Sequence, residues 1–245
     1  MALLSVNVNK FALIRNSRGT NHPDLLDICR KCLCFGADGI TVHPRPDERH
    51  AKFSDLSPLK KLINEFNNAE FNIEGYHTES FIEKVISVKP NQVTLVPDPP
   101  NVLTSSFGWD CEKHRDFLST VIKKFQDNGI RVSIFISPSI DTLTNLKQIT
   151  PNRVELYTYD YAKNYESNNN KKAIEPYLNV VDFLQDQFSS IELNAGHDLN
   201  LINLKYFLSQ ISSIKEVSIG HALVCDTFEF GLEQTLKKYL SLAHN

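Results

Sequence analysis

The chain has 245 residues, of which 41% are hydrophobic and 22% are charged, and its formal net charge is −3. This composition is typical of a globular protein with a substantial buried core, and it excludes a disordered or fibrous chain. The small negative charge provides no general basic surface, so we expect no nucleic acid and no anionic membrane as a partner. Any site for an anion must therefore be local.

Short runs rich in β-branched residues alternate with longer amphipathic stretches along the whole chain. Eight strands are predicted: Leu3 to Asn9, Asp38 to His43, Phe71 to Tyr76, Gln92 to Pro97, Arg131 to Ile136, Arg153 to Thr158, Ser190 to Asn194 and Glu216 to Ile219. Eight strand-and-helix units without a linker predict an α/β fold, a single (β/α)₈ TIM barrel domain over residues 1–245.

Several residues mark where the intervening helices begin and end. Pro23 and Pro58 fit the first turn of a helix, and Gly36 follows the expected end of one. Ser80 and Glu83 have the spacing of a capping box. The sequence therefore places helix boundaries between the strands, as a barrel requires.

The polar segment from Tyr159 to Pro176 interrupts this alternation. We expect a solvated loop here, and two interpretations stay open. One is a mobile flap at the site, and the other is an asparagine-rich surface insertion.

Three closely spaced cysteines, Cys29, Cys32 and Cys34, suggest a zinc site. The same segment also predicts an amphipathic helix with Cys29 and Cys32 on its apolar face. A tetrahedral zinc site needs four ligands, and no nearby histidine or further cysteine completes the set. We therefore expect buried thiols and no metal.

The cellular location follows from the cysteines and from the beginning of the chain. The odd number of cysteines, five, favours free thiols in a reducing compartment. Asn7, Asn9 and Lys10 interrupt the first apolar run, which is unlike the core of a signal peptide. No apolar run is long enough to span a bilayer. We expect a cytoplasmic protein.

Polar and titratable residues follow several of the predicted strands, where a TIM barrel has its active site. Each residue alone is more often structural or solvated, but three histidines and one glutamate at one mouth would supply acid and base groups. The apolar neighbours of Glu74 should raise its pKa by desolvation. The histidines at strand ends are His43, His197 and His221.

Two features point to bound anions. Gly196 and Gly220 follow strands seven and eight, where many barrels bind phosphate through backbone N–H groups. Guanidinium groups in two neighbouring loops would suit two phosphates, although solvated charged loops are the alternative. The arginines in these loops are Arg15, Arg18, Arg45 and Arg49.

Seven segments together closely resemble the pyridoxine 5'-phosphate synthase family: SVNVNKFALIRNSRGTNHPD, GADGITVHPRPDERH, FNIEGY, LVPD, VELYT, LNAGHDL and IGHAL. They span Ser5 to Leu223 in the expected order. The resemblance implies a barrel with additional helices, a homo-octamer, and a transferase that needs no cofactor and no metal. The implied reaction condenses 1-deoxy-D-xylulose 5-phosphate with 3-amino-2-oxopropyl phosphate to pyridoxine 5'-phosphate.

The resemblance also implies a role for each matched residue. His43 and Glu74 are implied as proton acceptors, and His197 as the proton donor. The residues implied at the aminoketone phosphate are Asn7, Arg18, Gly220 and His221. The residues implied at the deoxyxylulose phosphate are Arg45, His50 and Thr104, with Asn9 and Lys10 in the loop after strand one.

The sequence departs from the family pattern at three places. Asn9-Lys10 replaces a common Asp-His, and Tyr157-Thr158-Tyr159 replaces a common His-Thr-Gly. Asp198 stands where many members have glycine. Its carboxylate would repel a phosphate unless it points away or caps the following helix.

Two other functions stay open. One is another barrel enzyme that acts on phosphorylated sugars, such as an aldolase or an epimerase. An aldolase of the Schiff-base type needs a lysine at the end of an inner strand, and Lys10 is the tempting candidate. A noncatalytic barrel that binds a metabolite is the other alternative. The intact His43, Glu74 and His197 speak against it.

Overall fold

A closed barrel of eight parallel strands forms the centre of the protein in the computed structural model, which describes residues 1–98, 107–165 and 169–244. Each strand pairs with its neighbours in the chain, and the last strand pairs with the first. The predicted TIM barrel is therefore confirmed. The strands are β1 (Leu3–Asn7), β2 (Gly39–Val42), β3 (Glu70–Gly75), β4 (Gln92–Leu95), β5 (Arg131–Ile136), β6 (Arg153–Tyr157), β7 (Glu192–Gly196) and β8 (Ile214–Ile219).

Eleven α-helices surround the barrel in the described residues, with short 3₁₀ turns at Phe53–Asp55 and Ile140–Leu143. None of the helices in these three ranges is both long and apolar enough to cross a membrane. The helices are α1 (Asn9–Asn16), α2 (Leu25–Cys34), α3 (Leu56–Ile63), α4 (Glu79–Val88), α5 (Arg115–Gln126), α6 (Leu146–Ile149), α7 (Tyr159–Tyr165), α8 (Asn170–Gln187), α9 (Leu204–Gln210), α10 (His221–Phe230) and α11 (Leu232–Ala243).

The apolar core lies between the outer face of the barrel and the helices. Because strand side chains alternate, every second residue faces outwards. Leu4, Val6, Ile40 and Val42 are completely buried in this layer. Removal of this apolar surface from water is the main stabilising contribution to the fold.

The inside of the barrel, in contrast, holds hydrogen-bonded polar side chains. Ser5 and Thr41 exchange a hydrogen bond of 2.7 Å between β1 and β2. The Thr94 hydroxyl donates to Asn72 at 3.1 Å and contacts Glu155 at 3.5 Å. Because β4 and β6 are not neighbours, the contact from Thr94 to Glu155 crosses the barrel interior.

A network of ions and amides closes the other end of the barrel. Arg131 and Arg153 each donate to Gln92 at 3.0 Å. Arg153 also pairs with Glu192 at 2.8 Å and with buried Glu216 at 3.4 Å. The network compensates buried charge at the amino-terminal ends of the strands, away from the mouth.

The helix boundaries agree with the sequence in part. Gly36 follows α2 with a φ of +100°, and Pro58 lies in the first turn of α3, as predicted. Pro23 precedes the first turn of α2, since Asp24 is the N-cap. The capping box of Ser80 and Glu83 is wrong.

The N-cap of α4 is Thr78. Its hydroxyl accepts from the Phe81 N–H at 3.2 Å. The helix thus begins one residue before Ser80, at Glu79, and Ser80 contributes its hydroxyl to a contact with Thr78.

The polar segment after β6 is helical rather than a loop, so that prediction is wrong. Helix α7 occupies Tyr159–Tyr165, and α8 begins at Asn170 and contains Pro176. Scattered apolar residues explain the difference, because Tyr161 and Ile174 are buried in the core and anchor the two helices.

The clustered cysteines lie on α2, as the helical interpretation predicts. Cys29 and Cys32 are completely buried in the apolar core, whereas Cys34 is exposed. Burial raises the pKa of both buried thiols. These two side chains therefore act as small apolar core residues.

Substitution of Thr78 by Ala should lower the free energy of unfolding by about 1 kcal/mol, since the Phe81 N–H loses its cap. Urea unfolding followed by circular dichroism measures the change. Ser80→Ala is the control and should cost less than about 0.5 kcal/mol. A larger effect of Ser80→Ala than of Thr78→Ala would contradict the assignment.

Candidate active site

A cavity of about 350 Å³ opens at the carboxyl-terminal ends of the barrel strands. Strand ends supply most of its lining, so residues far apart in the sequence meet here. The lining residues are Asn7, Asn9, Lys10, His43, Arg45, His50, Glu74, Val96, Phe135, Glu155, Tyr159, His197, Asp198, Ser218, Gly220 and His221.

Two asparagines, one at the end of β1 and one at the start of α1, hold the side of the cavity formed by β2 and β3. The Asn9 side chain accepts from the His43 backbone N–H at 2.9 Å, and the Asn9 N–H donates to Asn7 at 3.2 Å. The Asn7 amide donates to Glu74 at 3.4 Å. Asn9 thus holds the backbone of His43, and Asn7 holds the side chain of Glu74.

His43 and Glu74 face each other at 3.7 Å between Nδ1 and Oε2. Burial lowers the pKa of His43 well below its ordinary value, and the charges of Arg45 and Arg49 lower it further. Burial raises the pKa of Glu74 to about 8, against the opposing effect of Arg45. Near neutral pH the contact therefore joins a neutral imidazole to a carboxyl group that is largely protonated.

A second buried carboxyl group, Glu155, lies on the inner face of β6. It is 2% exposed, and burial together with Glu74 and Glu216 raises its pKa. A Cβ atom at Gly196 would lie 2.2 Å from the Glu155 Oε1 atom, so glycine at position 196 leaves the space for this carboxyl group. The site thus contains two carboxyl groups whose pKa values are raised by burial and by their mutual repulsion.

Cationic groups line the rim after β1 and β2. Arg45 is 5% exposed and lies 3.5 Å from the buried carboxylate of Asp98. Burial, together with the charges of Lys10 and Arg49, lowers the pKa of His50 to about 4. This side of the cavity therefore combines fixed positive charge with a neutral imidazole, which suits an anionic ligand.

The opposite wall is built by β7 and by the start of α7. His197 follows β7, and its Nδ1 atom lies 2.6 Å from the Asp198 carboxylate. The ring packs edge-on against Tyr157 at 4.8 Å between ring centroids, and Tyr159 is stacked parallel to Tyr157. Helix α7 thus brings an aromatic wall to the cavity.

The amino-terminal end of α10 also points to the cavity, through Gly220 and His221. A Cβ atom at Gly220 would lie 3.1 Å from the Asn7 side chain, so the backbone passes close to β1. The N–H groups at the beginning of a ten-residue helix attract anions.

The structure brings nearly all predicted site residues to this cavity. Arg18 is exposed in the turn after α1 and is not among the lining residues, and Thr104 lies outside the described residues. The sequence analysis missed Glu155 and Tyr159. A glutamate at the centre of the apolar strand VELY is the signal that was available for Glu155, whereas Tyr159 lies in the segment that we predicted as a loop.

The chain is similar to known proteins over nearly its whole length. Residues 4–245 match the model of a family described as pyridoxal phosphate biosynthesis protein PdxJ. The pyridoxine 5'-phosphate synthase of Christiangramia forsetii is 46% identical over 242 residues, which cover 99% of both chains. The enzyme of the same name from Cytophaga hutchinsonii is 47% identical over 240 residues, which cover 98% of both.

Solved structures that resemble the chain share the barrel at low sequence identity. A protein of Aquifex aeolicus has a TM-score of 0.64 and 15% identity, with 99% of this chain and 92% of that one covered. A 4-hydroxy-2-oxoglutarate aldolase has a TM-score of 0.61 and 12% identity, with 98% and 94% covered. At these identities the likeness concerns the fold alone.

The free energy of unfolding should decrease between about pH 5 and pH 8, and substitution of Glu74 by Gln should make this decrease smaller. The folded carboxyl keeps its proton up to about pH 8, whereas the unfolded carboxyl loses it near 4.5. In this window the folded state binds more protons, so the free energy of unfolding of the unmodified protein decreases as pH rises. Urea unfolding at several pH values measures the slope.

The exposed Glu83 on α4 provides the matched control for this experiment. In Glu83→Gln, the free energy of unfolding should depend on pH as it does in the unmodified protein. An unchanged slope in Glu74→Gln would show that burial does not retain the proton on Glu74.

Proposed function

The chain belongs to the PdxJ family, and we propose that it acts as a pyridoxine 5'-phosphate synthase. In the proposed reaction, 1-deoxy-D-xylulose 5-phosphate condenses with 3-amino-2-oxopropyl phosphate to give pyridoxine 5'-phosphate, inorganic phosphate and water. The observation that carries the proposal is the convergence of His43, Glu74 and His197 on one cavity with a cationic rim.

The chemistry requires several proton transfers. The amine attacks a ketone and water is lost, and protons then move on carbon and oxygen while phosphate is eliminated and the ring closes. His43 is neutral and can accept a proton directly, which fits a general base. We assign His197 as the proton donor on the opposite wall.

Glu74 is suited to exchange protons in both directions. With a pKa of about 8, its carboxyl group is protonated in most molecules at neutral pH and becomes an effective base after it has given up that proton. The Asn7 amide, 3.4 Å away, keeps the carboxyl group directed at the cavity. Glu155 is a second buried carboxyl group at the cavity whose pKa is raised by burial and by Glu74.

The two phosphate groups are assigned to opposite sides of the cavity. Arg45 and His50, with Lys10 nearby, are assigned to the deoxyxylulose phosphate, as is Thr104. The beginning of α10, at Gly220 and His221, is assigned to the aminoketone phosphate, with Asn7 and Arg18. Charge-assisted hydrogen bonds from guanidinium groups and N–H groups at a helix terminus are the expected interactions.

The remaining assignments rest on the family. We propose a cytoplasmic homo-octamer of single-domain chains whose activity requires no cofactor and no metal. The exposed position of Arg18 within the single chain is compatible with a role that depends on movement of its turn or on assembly.

The substitutions His43→Asn, Glu74→Gln and His197→Asn should each reduce kcat by at least about a hundredfold, since each removes a proton-transfer group. Purified protein is incubated with both phosphorylated substrates, and pyridoxine 5'-phosphate is followed by absorbance and mass. Each variant should retain the circular dichroism spectrum of the unmodified protein.

His244→Asn is the matched control, because His244 pairs with Asp38 near the beginning of β1, away from the mouth. It should retain normal turnover. A near-normal rate in one of the three variants would remove that residue from the mechanism. Binding of both substrates without product would favour a noncatalytic barrel, and trapping of Lys10 by borohydride with substrate would favour an aldolase.

Substitution of Arg45 by Gln should raise the KM for deoxyxylulose phosphate about tenfold or more, because a charge-assisted hydrogen bond contributes about 1.5–3 kcal/mol. The KM for the aminoketone phosphate should change much less. Steady-state kinetics with each substrate varied in turn measures both constants.

Arg49→Gln is the control for the rim, since Arg49 is paired with Asp47 at 3.0 Å and is not assigned to a substrate. It should leave both KM values within about twofold. Equal increases of both KM values in Arg45→Gln would contradict the assignment of Arg45 to one phosphate.

A further inference from the structure

Asp198 has a position that the family pattern does not explain. Its carboxylate lines the cavity and binds the Nδ1 atom of the preceding residue, His197, at 2.6 Å. This hydrogen bond from His197 lowers the pKa of Asp198, so the carboxylate is ionised. An ionised carboxylate at the mouth of an anion-binding site requires a reason, because it opposes the binding of phosphate.

Capping of the next helix does not provide that reason. Helix α9 begins at Leu204, and its N-cap is Asn203. The Asn203 side chain donates to the Asp198 carbonyl at 3.2 Å, so the contact to this segment uses the Asp198 backbone. The carboxylate itself is directed to the His197 ring.

The backbone of this pair is held in an unusual conformation. His197 has a φ of +81° and Asp198 a φ of +61°, a region that favours glycine and costs free energy for other residues. The Thr158 hydroxyl donates to the carbonyl groups of both Gly196 and His197. Such backbone strain persists where surrounding contacts fix it, and here it places the carboxylate beside the ring.

The plane of the His197 ring is also fixed. Tyr157 contacts it edge-on at 70° and 4.8 Å between centroids, and Tyr159 does so at 76° and 6.3 Å. With its plane set by these two rings and its Nδ1 atom bound to Asp198, the imidazole has one defined orientation in the cavity.

We propose that Asp198 is a positioning residue for His197. It accepts the Nδ1–H of His197, stabilises the imidazolium from which the Nε2 proton is transferred, and directs Nε2 to the reacting atoms, as a carboxylate does when it orients a catalytic imidazole. The inference rests on the proposed function, because it assigns to His197 the transfer of a proton to the substrate. It explains why an acidic residue stands beside a phosphate site.

Steady-state kinetics of Asp198→Asn and Asp198→Gly tests the proposal. Both variants should reduce kcat by about tenfold or more, with both KM values within about twofold. Asp198→Gly also removes the unfavourable φ at this position, so a loss of kcat in this variant is not the result of strain. Asp160→Asn, which removes an exposed carboxylate on α7, should retain the unmodified kcat.

A spectroscopic measurement reports the pair itself. In protein labelled with ¹⁵N-histidine, the signals of His197 are those missing from His197→Asn. The unmodified protein should show a downfield proton bound to Nδ1 of His197, and Asp198→Asn should lose it while it keeps its fold.

Two results would overturn the proposal. One is an unchanged kcat with a lower KM in both Asp198 variants, which would show that the carboxylate acts on the phosphate alone. The other is an Nδ1 proton signal that is the same with and without the carboxylate. Failure of the unmodified protein to form product would instead overturn the proposed function, and the Nδ1 signal would still decide whether Asp198 holds the ring.

Discussion

The polar interior of the barrel is the constraint on which the active site depends. Side chains that face inwards are removed from water, so their hydrogen bonds must be made to one another. Ser5, Thr41, Asn72 and Thr94 meet this requirement by pairing across strands. The same interior lacks the solvent that would stabilise ionised carboxyl groups, and for this reason the pKa values of Glu74 and Glu155 are raised at the cavity. Interior packing and acid–base chemistry are thus two results of one arrangement.

The two walls of the cavity place their histidines in different electrostatic environments. On the wall of β1 to β3, burial and nearby cations keep His43 neutral. On the wall of β7, a carboxylate is bound directly to His197. Two histidines at one mouth therefore have distinct environments, which is the condition for distinct roles in proton transfer. The cationic rim at Arg45 and the beginning of α10 lie beside these walls and suit the charge of phosphorylated substrates.

The local pattern of the sequence predicted the eight strands and the titratable residues at their ends, and the family resemblance added most of the other residues of the cavity. A short apolar run followed by a polar residue, such as the run before His43, identifies both a strand and the end of that strand that faces the mouth of the barrel. The pattern failed where tertiary contacts decide the structure. Tyr161 and Ile174 make helices of a segment whose composition favours a loop, and Glu155 becomes a site residue through contacts across the barrel. The orientation of Asp198 depends on backbone angles that composition does not reveal.

The pairing of β1 with β8 has a consequence for the synthesis of the protein. Leu3 lies beside Glu216, and Gly220 passes close to Asn7, so the first and last strands complete the cavity together. A chain that emerges from the ribosome in order exposes the edge of β1 until β8 has been made. Contacts between such distant residues form slowly, and unpaired strand edges promote aggregation. Closure of the barrel, and with it completion of the cavity, therefore requires that β8 has been synthesised.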